Sequence, residues 1–172
     1  MVEELLDFSR IQNSEFKISS GIFKLNSVIS DIIISYEQRA NSENKALINE
    51  ISSSEDILIK GDEGKIKQVF INIADNALKY TRENATIKIG LERNQKYVTI
   101  YFNDNGKGIS EKDLPRVKEK FFKADNTVRG TGIGLAVADE IVRIHGGNLD
   151  IESKIGTGTT VKIKLPIYIP EE

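Results

Sequence analysis

Several residue types that commonly build reactive centres are scarce or missing from this chain of 172 residues. It contains no cysteine, which excludes disulfide bonds and thiolate metal ligands. His145 is the only histidine, and this excludes histidine-rich metal sites and most serine–histidine or cysteine–histidine chemistry. Apolar runs such as Ile32-Ile33-Ile34 are far shorter than a membrane-spanning helix requires.

An excess of one charge is also missing, since the net charge is -2 at pH 7 and acidic and basic residues are mixed along the chain. This balance gives no indication of binding to nucleic acid or to an anionic membrane. The composition, 39% hydrophobic and 29% charged, is typical of a soluble globular domain. With no signal peptide in front of Glu3, we expect a cytoplasmic location.

Hydrophobic periodicity predicts a mixture of helices and strands. Helices are predicted at residues 3–12, 25–40, 62–80, 111–118 and 133–144, and strands at residues 46–51, 57–60, 86–92, 96–102, 149–152 and 160–165. Asp62 is predicted to cap the third helix, and residues 120–131 to form a mobile loop. This order predicts an α+β fold, a two-layer α/β sandwich with helices on one face of a mixed, mostly antiparallel sheet.

The predicted helix at residues 62–80 carries a polar row beside its apolar stripe. Asn72 and Asn76 lie one helical turn apart, and Lys79 and Tyr80 follow about one turn later. Mg²⁺ prefers hard oxygen ligands, so two amide oxygens at this spacing can share the ion. Taken alone, the asparagines have a simpler explanation as solvated residues of an amphipathic helix.

A second motif, Asp104-Asn105-Gly106-Lys107-Gly108-Ile109, follows directly after a predicted strand. The Asp104 carboxylate can accept a hydrogen bond from the exocyclic amine of adenine, whereas guanine presents an oxygen at the same edge. Gly106 and Gly108 let the backbone approach a base closely. A tight turn is the simpler alternative. A calcium loop is disfavoured, because the further oxygen ligands and the closing Glu of an EF-hand are missing.

The third motif, Gly130-Thr131-Gly132-Ile133-Gly134-Leu135, leads into the predicted helix at residues 133–144. Unhindered amides before a helix N-terminus form an anion site. The glycine spacing differs from the Rossmann fingerprint, and no P-loop sequence occurs in the chain. A plain glycine-rich linker is a poor alternative, because the apolar helix begins at once. Together the three motifs can bind a nucleoside triphosphate.

In this order the three motifs resemble the N, G1 and G2 boxes of the catalytic domain of sensor histidine kinases. This domain belongs to a superfamily that includes DNA gyrase, heat-shock chaperones and mismatch-repair ATPases. Glu119-Lys120-Phe121-Phe122-Lys123 is similar to the F box of these kinases, and Gly156-Thr157-Gly158-Thr159-Thr160 to their G3 box. The similarity covers residues 16–166 and implies the Bergerat fold, including a mobile ATP lid.

The resemblance implies a site for ATP and Mg²⁺. The implied magnesium ligands are Asn72 and Asn76, and the implied catalytic residues are Asn72, Lys79, Lys123 and Arg129. The implied nucleotide-binding residues are Asn76, Tyr80, Asp104, Gly106, Gly108, Ile109, Gly130, Thr131, Gly132, Ile133, Gly134, Leu135 and Thr159. Residues 123–129 would form the lid, with Lys123 or Arg129 contacting the γ-phosphate.

Asn72 also separates the subfamilies. Hydrolytic members of the superfamily have Glu at the corresponding position, where it activates water. An amide cannot act as a general base. The resemblance therefore implies a site that holds ATP and passes its γ-phosphate to another group.

The implied function is that of the ATP-binding catalytic domain of a two-component protein-histidine kinase. Residues 1–15 resemble the end of a dimerisation helix, residues 16–168 the catalytic domain, and residues 169–172 a tail. The helix with the acceptor histidine is missing, and we expect His145 to cap a helix instead. The implied partners are dimerisation helices and a response regulator receiver domain; we expect a monomer that contacts neither membrane nor nucleic acid. The alternatives are an ATP-sensing interaction module and an anti-sigma-type serine kinase.

Overall fold

The computed structural model describes residues 19–52 and 55–170. Within these ranges the chain forms three α-helices and seven β-strands, together with a 3-10 turn at Leu114–Arg116. In chain order the elements are β1 (Gly21–Lys24), α1 (Leu25–Ser42), β2 (Ala46–Asn49), β3 (Leu58–Gly61), α2 (Glu63–Lys79), β4 (Thr86–Arg93), β5 (Tyr97–Asp104), α3 (Gly134–Ile144), β6 (Asn148–Lys154) and β7 (Gly158–Pro166).

Five strands form the main sheet in the order β2-β4-β5-β7-β6. Strands β2 and β4 are parallel, and the other three pairings are antiparallel. Strands β1 and β3 form a separate two-stranded antiparallel sheet. The apolar faces of the helices and of the main sheet share one buried core. The predicted sandwich with a mixed, mostly antiparallel sheet is therefore confirmed.

Strand β5 shows how the sheet positions a functional residue. Alternate side chains of a strand point to opposite faces, and in β5 the series Val98, Ile100 and Phe102 is buried. Asp104 continues this inward series at the last position of the strand and is 9% exposed. The same alternation that builds the core thus brings a carboxylate to its edge.

Helix α2 begins where the sequence predicts. The Asp62 side chain accepts a hydrogen bond from the Lys65 N–H at 3.0 Å and so satisfies one free donor of the first turn. The buried stripe of helix α2 includes Ile66, Phe70 and Ile73, which pack into the core. Helix α3 buries an equivalent stripe, and α2 and α3 pack against each other.

Two elements differ from the prediction. The helix predicted at residues 111–118 is wrong, because only the 3-10 turn forms there. Pro115 lacks an N–H and disfavours helical backbone at Leu114, and the Ser110 hydroxyl accepts the Asp113 N–H at 3.0 Å in a local turn. Strand β1 was not predicted, since one buried side chain in four residues leaves little periodicity. The helix predicted at residues 3–12 lies outside the described residues.

In the part of the chain that the structure describes, no helix combines the length and the hydropathy needed to cross a bilayer.

Candidate functional site

A cleft of about 1070 Å³ lies between α2, the C-terminal end of β5 and the segment that precedes α3. Residues from all three sequence motifs line this one cleft. Fifteen predicted site residues are among its lining, namely Asn72, Asn76, Lys79, Tyr80, Asp104, Gly108, Ile109, Lys123, Arg129, Gly130, Thr131, Gly132, Gly134, Leu135 and Thr159. The structure therefore brings together segments that are up to 87 positions apart, from Asn72 to Thr159.

Two predicted site residues do not line the cleft. The Gly106 N–H donates to Asp104 Oδ1 at 2.8 Å, and a Cβ on Gly106 would lie 2.7 Å from the Tyr80 carbonyl oxygen. Gly106 thus helps to fix the position of the Asp104 carboxylate. Ile133 is 1% exposed and packs in the hydrophobic core at the start of α3.

The asparagine pair lies on the wall that α2 contributes to the cleft. Asn72 is 9% exposed, and its Nδ2 donates to the Gly134 carbonyl oxygen at 3.1 Å. Because the amide nitrogen is used in this way, Oδ1 is the acceptor that remains for a ligand. Asn76 lies one turn further along the helix and is half-buried. The Asn72 bond also ties α2 to the first residue of α3.

Asp104 is held by backbone donors at the end of β5. Burial raises the pKa of this carboxyl above its ordinary value, and the N–H groups of Gly106 and Thr159 partly oppose the rise. Gly158 has φ +130°, and a Cβ there would lie 1.9 Å from the Asp104 carbonyl oxygen. Only glycine allows β7 to approach this closely, so Gly158, in the glycine-rich segment at residues 156–160, is required for the packing of β7 against Asp104.

Two of the three glycines in the third motif, Gly130 and Gly132, have different surroundings. Gly132 has φ +73°, and a Cβ there would lie 2.8 Å from the Phe121 carbonyl carbon, so this position requires glycine. The Phe121 N–H also donates to the Gly132 carbonyl oxygen at 3.0 Å. At Gly130 a Cβ would meet nothing within 4 Å. Ile133, the N-cap residue of α3, makes no side-chain capping bond, which leaves donors at this helix end for an anion.

Sequence reasoning missed an ion pair at the rim of the cleft, between Lys107 and Asp125. The Lys107 ammonium also lies 5.3 Å from the centroid of the Tyr80 ring. The hydrogen bond from Lys107, followed by those from Thr127, lowers the pKa of Asp125 well below its usual range. The cationic side chain inside the second motif could have indicated Lys107, whereas no periodic pattern connects it to Asp125.

Asp75 lies between the two asparagines in sequence and also lines the cleft. It accepts hydrogen bonds from the Tyr36 hydroxyl at 3.0 Å and from Arg39 Nη1 at 2.6 Å, both on α1. Burial, and then the charge of Asp75, raises the pKa of Tyr36. This carboxylate therefore connects α1 to the wall of the cleft.

His145 does not line the cleft. It occupies the C-cap position of α3, as predicted, and is 8% exposed. Its place in the fold is that of a buried structural residue rather than of an accessible acceptor of a phosphoryl group.

Several curated proteins are similar to this chain over almost its full length. It is 33% identical to the sensor protein kinase WalK of Staphylococcus haemolyticus over 100% of the chain and 29% of WalK. It is 27% identical to the histidine protein kinase DivJ of Caulobacter vibrioides over 98% of the chain and 29% of DivJ. It is 29% identical to histidine kinase P4 of Formosa agariphila over 97% of the chain and 13% of P4. The chain thus spans less than a third of these relatives.

Solved structures have the same fold. The catalytic domain of histidine kinase ThkA superposes with a TM-score of 0.76 at 29% identity, over 86% of this chain and 97% of that domain. Full-length ShkA, solved in complex with AMPPNP, superposes with a TM-score of 0.87 at 23% identity, over 99% of this chain and 36% of ShkA.

Residues 61–169 match the family model described as "Histidine kinase-, DNA gyrase B-, and HSP90-like ATPase". This segment contains all three motifs and every predicted site residue, and the family predicted from the sequence is confirmed. The chain therefore belongs to the family of histidine kinase-, DNA gyrase B- and HSP90-like ATPases.

Proposed function

We propose that this domain binds Mg-ATP in the cleft and transfers the γ-phosphate to a histidine on a dimerisation segment of its parent kinase. One observation carries the proposal, namely that the amide pair of α2, the carboxylate at the end of β5 and the glycines before α3 line a single cleft. The sensor-kinase names of the curated relatives support histidine as the acceptor.

The lining of the cleft suits a purine nucleotide. Asp104 offers a fixed carboxylate acceptor to the exocyclic amine of adenine. Guanine presents an oxygen at the same edge, so this acceptor favours adenine over guanine. At the other end, the uncapped first turn of α3 and the amides near Gly130 offer donors to phosphate oxygens. Lys79, Lys123 and Arg129 add positive charge along the same cleft.

The donor set also suits Mg²⁺. The metal would be held by the amide oxygens of Asn72 and Asn76, which leave most of the coordination shell to water and phosphate. Among the described residues no group of three or more His, Asp or Glu side chains could hold a metal ion. Bound Mg²⁺ would neutralise phosphate charge as transfer proceeds.

The chain's own residues act by positioning. Asn72 donates to Gly134 and has no basic atom with which to activate water. The neighbouring carboxylate of Asp75 is engaged by Tyr36 and Arg39. These contacts support slow hydrolysis and an external acceptor, because phosphoryl transfer depends mainly on alignment and charge.

The dimerisation helices of the parent kinase would then be one partner of this domain, and a response regulator receiver domain would accept the phosphoryl group afterwards. The structure of ThkA with the response regulator TrrA supports the second partner.

Transfer to a dimerisation hairpin tests the proposal. The domain is mixed with a cognate hairpin that bears the acceptor histidine, with radiolabelled ATP and Mg²⁺, and with a hairpin whose histidine is replaced by Gln as the control. We expect acid-labile, base-stable label on the first hairpin alone. Measured ATP binding without any transfer to the intact hairpin would contradict the proposal, and so would acid-stable phosphoserine.

A further inference from the structure

The lid, defined as residues 123–129, lines part of the cleft and has few polar contacts with the rest of the domain. Among the described residues, no backbone hydrogen bond joins the lid to another part of the domain. The polar contact that does so in this part of the chain is the ion pair between Lys107 and Asp125. Loss of this ion pair would leave the lid without a polar attachment to the rest of the described domain.

The Lys107 side of this pair is anchored. Its carbonyl oxygen accepts the Gly156 N–H at 2.8 Å, and the Ile109 N–H donates to Ser153 Oγ at 2.8 Å. Gly108 has φ +71°, and a Cβ there would lie 2.0 Å from the Lys154 carbonyl oxygen. The loop after β5 is thus packed directly on the turn between β6 and β7.

The Asp125 side is ordered locally. Its Oδ1 accepts hydrogen bonds from the Thr127 N–H at 2.8 Å and from the Thr127 hydroxyl at 2.5 Å. Its Oδ2 contacts Lys107. One oxygen of Asp125 therefore orders the lid locally, and the other attaches the lid to Lys107. Lys107 lies beside Tyr80, on the side of the cleft formed by the loop after β5.

We infer that Lys107 and Asp125 form a latch. These two positioning residues hold the lid against the loop after β5 and slow the exchange of bound nucleotide. The inference deepens the proposed function and rests on it where the ligand is ATP. Both side chains are partly exposed, with 40% and 23% of their surface accessible. A pair of this kind contributes modestly, so we expect an effect of about 2- to 5-fold, not the loss of binding.

The first test needs no nucleotide. Lys107→Gln and Asp125→Asn each remove one charge, and the amide introduced by Asp125→Asn keeps an oxygen for the turn with Thr127. Lys112→Gln and Glu111→Gln are the matched controls, since both residues are exposed and lie outside the cleft lining. We expect faster cleavage by trypsin after Lys123 and Arg129 in the two latch variants and unchanged cleavage at these positions in the controls. Equal cleavage rates in all five proteins would overturn the latch.

The second test measures release of a fluorescent ATP analogue after rapid mixing with excess ATP. Each latch variant should release it about 2- to 5-fold faster than the unmodified chain. The double variant should be no faster than the singles, because the contact can be lost only once. Lys107→Arg keeps the positive charge and leaves the contact between Asp125 and Thr127 intact, so it should preserve slow release. Fully additive effects of the two latch variants, or fast release from Lys107→Arg, would refute the inference.

The two tests separate the latch from the proposed function. If the unmodified chain binds no ATP while the latch variants still loosen residues 123–129, the nucleotide proposal fails and the contact remains. If ATP binds and neither trypsin cleavage nor nucleotide release responds to the variants, the latch fails and the nucleotide proposal remains.

Discussion

His145 Nε2 accepts a hydrogen bond from the backbone N–H of Asp62 at 3.0 Å, across 83 positions of sequence. The other ring nitrogen, Nδ1, lies 2.7 Å from the Ile141 carbonyl oxygen and therefore carries the proton. A Cβ on Gly61 would lie 2.2 Å from the imidazole Cδ2, so the ring fills the space that glycine leaves. This contact joins the end of α3 to the start of α2, the helices that carry the first and third motifs.

Replacing His145 tests whether it is structural. We expect His145→Ala to lower the free energy of unfolding by about 1–3 kcal/mol, because the Asp62 N–H loses its buried acceptor. ATP affinity of the folded variant should stay near that of the unmodified chain, since His145 does not line the cleft. Urea unfolding and calorimetric titration check the two parts. Acid-labile label on the chain alone that disappears in His145→Ala would identify it as an acceptor instead.

Replacing Asn by Asp should affect stability differently at Asn72 and at Asn76. Asn72→Asp replaces the donor to the Gly134 carbonyl oxygen with a repelling carboxylate oxygen, and we expect a loss of about 1–3 kcal/mol of stability. Asn76→Asp should leave stability within about 0.5 kcal/mol, because Asn76 is only half-buried on the cleft wall.

Both substitutions should alter the Mg²⁺ dependence of ATP binding, which a titration with and without the metal measures. If ATP binding by both variants depends on Mg²⁺ as in the unmodified chain, these amides are not its ligands.

Asp104→Asn tests whether Asp104 recognises the adenine base. Because a carboxylate acceptor becomes an amide with one donor and one acceptor, we expect ATP affinity to fall roughly 10- to 100-fold and the preference over GTP to shrink. Competition between ATP and GTP measures both quantities. Asp150→Asn, an exposed position on β6, is the control for the loss of one negative charge. Unchanged selectivity in Asp104→Asn would assign base recognition to another group.

The same carboxyl group predicts a pH dependence of stability. Burial raises the pKa of Asp104 above 3.8, so between that value and the raised one the folded chain binds more protons than the unfolded chain. Its contribution to stability therefore falls as pH rises through this window. The stability of the unmodified chain relative to Asp104→Asn should decline over the same range in urea titrations from about pH 4 to 7. A rise in this difference would mean that the ionised form is favoured by folding.

Two glycines of the third motif should respond differently to alanine. Gly132→Ala forces a Cβ to within 2.8 Å of the Phe121 backbone at a positive φ, and we expect it to cost about 1–3 kcal/mol of stability. Gly130→Ala has open space and should fold normally, with a change of about 0.5 kcal/mol or less. If backbone amides there hold phosphate, Gly130→Ala weakens ATP binding and leaves adenosine binding unchanged. Equal effects on ATP and adenosine would contradict a phosphate role.

Local patterns were sufficient to predict the elements that carry the site. The apolar stripe of α2 and the cap at Asp62 are encoded within one helix, and the alternation in β4 and β5 is encoded within one hairpin. Periodicity and capping act over a few residues, so the sequence shows them directly. The three motifs lie at the ends of these elements, and their placement followed once the elements were known.

Contacts between distant segments could not be predicted in the same way. The segment between Lys107 and Asp125 contains only a 3-10 turn, and His145 contacts Asp62 from the C-terminal end of another helix. Strand β1 is recognisable only through its pairing with β3. Such contacts depend on how the layers pack, and a single sequence does not show this.

The parallel pairing of β2 with β4 also bears on the order in which the sheet assembles. This pairing closes a long excursion of the chain through β3 and α2, whereas short turns connect β4 to β5 and β6 to β7. Closing a longer loop costs more entropy, so we expect the two hairpins to form first during refolding and β2 to dock last. Strand β2 lies at the edge of the main sheet, and its brief detachment would leave intact the hairpins that bear Asp104 and Thr159. The backbone amides of β2 should therefore exchange earliest in the main sheet.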